Sequence, residues 1–79
     1  MKILLTGLQR DFDVDVLRER MSKFGHVIGV QAVLEGDPER PWAIVEMALG
    51  VAEGTEVARR IDGIYHIDRF IHARVMLHD

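Results

Sequence analysis

The chain has no cysteine, which excludes disulfides and thiolate metal sites. Its 79 residues must therefore be held by an apolar core alone, near the lower size limit for a domain that folds without a staple. Ser22 is the single serine; it stands mid-helix beside Lys23 with no base at triad-like spacing, so serine-nucleophile chemistry has no foothold. Long apolar runs are missing too. None approaches the ~20 residues of a membrane-spanning helix. The opening MKILLTGLQRDF has too short an apolar part for a signal peptide and no small-residue cleavage site. An intracellular, cytoplasmic protein without membrane contact is expected. Positive charge is not in surplus: 10 Lys and Arg stand against 13 Asp and Glu, a net charge of −3. Non-specific binding to nucleic acid, which draws its affinity from neutralised phosphates, is disfavoured, although a local basic patch is compatible with an acidic body. Aromatics make up only 6% of the chain, with one tryptophan, so the position of that tryptophan carries weight.

What remains is an ordinary globular composition, 48% apolar and 29% charged, and one domain is expected over residues 1–79. KILLTGL, residues 2–8, reads as a buried strand closed by Gly7 and the polar residues after it. Asp13 is placed to cap a helix over about 14–24, whose Val14, Leu17, Met21 and Phe24 recur at helical spacing as one buried stripe. Gly25 stands where a left-handed C-cap is expected. HVIGVQAVL, 26–34, is a β-branched second strand, and EGDPER, 35–40, is a hairpin loop. PWAIVEMAL, 41–49, is the third strand, with Pro41 tolerable at its first residue. A second helix is predicted over about 51–62, burying Val51, Val57, Ala58 and Ile61, with Gly54 costing ~1 kcal/mol relative to Ala. Asp62-Gly63 ends it, and RFIHARVML, 69–77, is the last strand.

The order βαββαβ joins two split βαβ units. It predicts an α+β, ferredoxin-like sandwich: a four-stranded antiparallel sheet with both helices on one face. The other face is left open. Strand alternation assigns to it Leu4, Thr6, Gln31, Val33, Trp42, Ile44, Glu46, His72 and Arg74. A one-residue slip of the last strand would instead bury His72 and Arg74 together.

RPWAIVEM, residues 40–47, bears on what that face does. A single-stranded-RNA octet runs basic residue, Gly, aromatic, Gly or Ala, Phe, Val, any residue, aromatic. Arg40, Trp42, Ala43 and Val45 fit it; Pro41, Ile44 and Met47 do not. ILLTGL, 3–8, stands where the same family has its first-strand hexamer. LRERMSKFGHVIGV resembles its helix-to-second-strand stretch, and ARRIDG the end of its second helix. The chain thus resembles the RNA recognition motif family over essentially its whole length. That resemblance implies a domain that binds single-stranded RNA by stacking bases on sheet aromatics, although some members bind proteins or pair with themselves. Of the three positions where such relatives carry platforms, Trp42 keeps its ring, while Leu4 and Ile44 are aliphatic.

The candidate RNA-binding residues are therefore Trp42 for stacking, Leu4 and Ile44 for apolar contact, and Lys2, Arg40 and Arg74 for phosphates. Gln31, Thr6 and His72 would make polar contacts, with Arg69 at the flank. Against them, the loop before the octet carries Glu35, Asp37 and Glu39, which repel phosphates. A second expectation uses the same face as a protein-interaction or homodimer surface, because its centre is apolar and its edges mixed. Glu46 occupies the variable position of the octet and receives no role.

Other chemistries find less support. His72 and His78 share strand parity but lie six residues apart, about 20 Å, too far for one ion, so no metal is expected. MKILLTG resembles the start of a dinucleotide-binding domain but lacks G-x-G-x-x-G, since only Gly7 precedes Gly25. DFDVDV reads as a helix cap and first turn rather than an acid/base pair. No cofactor and no enzymatic activity are expected.

Overall fold

Seven elements follow one another in the computed structural model, which describes residues 1–36, 39–66 and 69–76. They are β1 (Lys2–Thr6), α1 (Val14–Met21), β2 (Val27–Val33), β3 (Trp42–Met47), α2 (Val51–Ile61), β4 (Ile64–His66) and β5 (Arg69–Met76). All strand pairs are antiparallel, in the order β2-β3-β1-β5-β4. The expected four-stranded ferredoxin-like sheet is present as β2-β3-β1-β5. The three-residue β4, which the sequence reading left unassigned, extends it by a hairpin onto β5. Gly63 turns the chain from α2 into β4: its φ of 84° is left-handed, and its N–H donates to the Ile71 carbonyl at 2.8 Å.

Alternation along the strands sorts the sheet into two faces. Ile3 and Leu5 of β1 and Ala43, Val45 and Met47 of β3 form the buried face, joined by Met21 of α1 and by Val57, Ala58 and Ile61 of α2. Both helices thus cover the same side. Asp13 caps α1 as expected: its Oδ1 accepts from the Asp15 N–H at 2.8 Å and the Val16 N–H at 3.3 Å.

Several local expectations need correction. The α-helical part of α1 stops at Met21, and the chain continues to Phe24 through tighter i→i−3 bonds, Lys23 to Arg20 and Phe24 to Met21. Phe24 therefore leaves the buried stripe and is 36% exposed. Gly25 is not a left-handed C-cap. Its φ of 159° is positive but far from the left-handed helical well, and a Cβ there would also lie 2.9 Å from Leu49 Cδ2. In α2 the buried stripe begins at Gly54, one turn later than expected, and Val51 is 59% exposed. Gly54 is buried against Met1, whose Cγ would sit 2.6 Å from an added Cβ. Met1 in turn prolongs the sheet: its carbonyl accepts from the Met47 N–H at 2.8 Å, and its nitrogen donates to the Met47 carbonyl at 3.1 Å. The expectations for Asp37 and Pro38 in the loop, and for Leu77 and His78 at the chain's end, lie outside the described residues, as does that for the Arg69 side chain.

Candidate functional site

The register of the sheet aligns the candidate side chains into rows. Across the middle run Gln31 of β2, Ile44 of β3, Leu4 of β1 and Arg74 of β5, each directly opposite the next. Two residues along the strands, Val33 stands opposite Trp42, and Thr6 opposite His72. On the other side of the middle row, Gly29 faces Glu46, Glu46 faces Lys2, and Lys2 faces Met76. The uncovered face has an apolar centre at Ile44 and Leu4 and an exposed ring beside it, with Trp42 49% accessible. Gln31, His72 and Arg74 are exposed around it. Lys2 is half-buried, and its cross-strand neighbour Glu46 brings the opposite charge to the same row.

This register excludes the slip that would have buried His72 and Arg74. It also depends on a feature not legible in the sequence, a bulge between Val27 and Gly29. Val27 is buried opposite Met47, yet Gln31 and Val33, of the same parity, lie on the open face; the extra residue in β2 reverses the alternation. Arg40 does not join the rows. It precedes β3 and is separated from Trp42 by the buried Pro41.

Two polar arrangements were missed. Arg10 Nη1 lies 3.3 Å from Glu39 Oε1, so one carboxylate of the acidic loop is engaged by the segment after β1. Nothing local joins residues 10 and 39, and only the tertiary fold brings them together. The second is Asp62, at the C-terminal end of α2. Its Oδ1 accepts from the Ala73 N–H at 3.1 Å and lies 3.1 Å from His72 Nδ1. A ring that donates through Nδ1 to Asp62 keeps Nε2 for a further partner. The signal was present as the helix-ending Asp62-Gly63, read only as a stop. A groove of about 610 Å³ follows this edge, lined among others by Leu4, Thr6, Arg59, Asp62, His72 and Arg74.

Chemically, this surface offers a ring face, aliphatic contact, an amide, a hydroxyl and a guanidinium on a flat frame. Among the described residues, no three His, Asp or Glu side chains converge in a way that could hold a metal ion. No helix among them is long and apolar enough to cross a membrane.

These features define an α+β sandwich with one uncovered sheet face. No protein-family sequence model matches the chain, and no curated protein matches it in sequence. Solved structures do match in shape. The RRM of Rna15 with bound RNA (GU) superposes with a TM-score of 0.78 at 16% identity, over 98% of this chain and 83% of that one. The third RRM of Pes4 gives 0.83 at 13% identity, over 99% and 93%. RNA Binding Protein PG1 gives 0.81 at 15%, over 100% and 96%. The chain has the fold of an RNA recognition motif.

Proposed function

We propose that the open face binds single-stranded RNA, weakly or selectively, as a binding module rather than an enzyme, inside the cell. The carrying observation is the contiguity of Trp42 with the row Gln31–Ile44–Leu4–Arg74, a stacking ring beside aliphatic, amide and cationic groups on an uncovered sheet. In this reading a base or sugar stacks on Trp42 and the strand crosses Ile44 and Leu4. Gln31, Thr6 and His72 make polar contacts, and Arg74, Lys2 and Arg40 approach phosphates. The similarity in shape to an RRM that carries RNA supports it. Base–aromatic stacking is worth ~1–3 kcal/mol per base, so aliphatic residues at 4 and 44 remove up to ~2–6 kcal/mol of what two further rings would add. Weak binding follows from that deficit and from the net charge of −3.

A second reading, a protein-interaction or self-association surface on the same face, is favoured by the apolar centre and by Lys2 standing opposite Glu46 rather than alone. Titration of isotope-labelled protein with a pool of short single-stranded RNAs at two salt concentrations separates the two. Chemical-shift changes at Trp42, Ile44, Leu4 and Arg74 that fade as salt rises are the result expected for RNA. No shifts at millimolar RNA, with resonances of Trp42, Ile44 and Leu4 that move with protein concentration, would replace it by the second reading.

A further inference from the structure

The two edges of the sheet are treated differently by the sequence. The β5 edge is occupied from Arg69 to Ala73: β4 pairs with Arg69–Ile71, and Asp62 takes the Ala73 N–H. At the other edge, no strand among the described residues pairs with the outer side of β2. The segment is also bare of the charges that usually block such an edge. From Phe24 to Leu34 there is no Asp, Glu, Lys or Arg, the longest such stretch in the chain. Two large aliphatic side chains are exposed along it, Ile28 at 53% in the bulge between Val27 and Gly29 and Leu34 at 54% just past β2, so the bulge is the one blunting device on this edge.

From these observations we propose that the β2 edge pairs with the β2 edge of a second copy of this chain, antiparallel about a two-fold axis through Gln31, into one continuous sheet. The occupant follows from the segment's self-complementarity. With Gln31 on the axis, Leu34 of each copy meets Ile28 of the other, so the two exposed aliphatic groups cover one another twice. Val33 of each copy falls beside Gly29 of the other, where an added Cβ finds nothing within 4 Å. The antiparallel sense also brings the acidic end at Glu35 beside the end carrying Lys23 and His26, whereas a parallel pairing would set like ends together. Two-fold pairing closes on itself. The surface is the edge of the sheet and meets the face assigned to RNA only at Gln31, so the inference does not depend on that assignment.

The test is the mass in solution by sedimentation equilibrium from about 10 μM to about 1 mM. The native chain is expected to move from 9.0 kDa toward twice that mass and stop there, insensitive to salt. Ile28→Lys is expected to hold the chain at the monomer mass throughout while leaving its circular dichroism and RNA titration unchanged. Combining Ile28→Lys with Leu34→Glu is expected to restore association, now weakened by salt, because the two substitutions face each other across the axis. A native chain that stays monomeric to 1 mM, a mass that rises past two copies, an association indifferent to Ile28→Lys, or no rescue by the double variant would each overturn the pairing. None of these outcomes depends on whether RNA shifts Trp42.

Discussion

Leu4 and Leu5 are neighbours in one strand with the same side chain, yet Leu5 is sealed in the core while Leu4 lies at the centre of a bare surface. Ile44 and Val45 repeat the contrast one strand away. Apolar character does not distinguish the two faces of this sheet. Cover does: α1 and α2 pack on the side of Ile3, Leu5, Ala43, Val45 and Met47, and nothing described packs on the other. An apolar side chain in the core contributes to folding, whereas the same side chain on the open face is available for an interaction the fold does not require.

The largest effect that separates the faces should come from the two leucines. Leu5→Ala is expected to cost about 2–5 kcal/mol, a large share of the ~5–15 kcal/mol typical of a domain. Leu4→Ala should cost below about 1 kcal/mol, the scale of a cross-strand contact. Urea denaturation of both variants measures the difference, and equal costs would erase the distinction. Next comes Trp42→Ala, expected to leave the urea midpoint nearly unchanged while lowering RNA affinity about 5- to 150-fold, the equivalent of one stacked base. Fluorescence anisotropy with a labelled RNA reads it. Ile44→Phe sharpens the contrast from the other direction: a ring added beside Trp42 is expected to raise RNA affinity about fivefold or more, and unchanged or weaker binding would mean that the row is no stacking platform. The smallest effect belongs to Arg74→Ala, expected to flatten the dependence of log affinity on log salt by about 0.7 without moving stability.

The parts of this architecture legible in the sequence are those set by local period. Alternation in β1 and β3 separates Leu4 from Leu5 and Ile44 from Val45 without knowledge of any partner, and the Asp13 cap is equally local. The misreadings share a cause, dependence on a distant neighbour. Gly25 looks like a helix terminator until Leu49 is packed against it, and Gly54 looks like a defect until Met1 fills the space over it. Phe24 and Val51 continue helical stripes on paper, but the helix or its cover ends before reaching them. The bulge at Val27 to Gly29 is invisible because one extra residue changes no composition, yet it decides that Gln31 and Val33 face outward. Asp62 is the clearest case at the candidate site. A residue read as a full stop for α2 also orients His72 and occupies a backbone donor on β5.

That last contact has a consequence in the language of polymer chemistry. A growing chain needs monomers with two reactive ends, and a monomer with one end terminates growth. The sheet of this protein has two ends, and at one of them Asp62 and the β4 hairpin occupy β5 from Arg69 to Ala73, leaving the three-residue β4 outermost. The molecule is monofunctional in that sense. The pairing proposed for β2 would then stop at two copies rather than grow into a fibre, because a three-residue end offers little to a further strand.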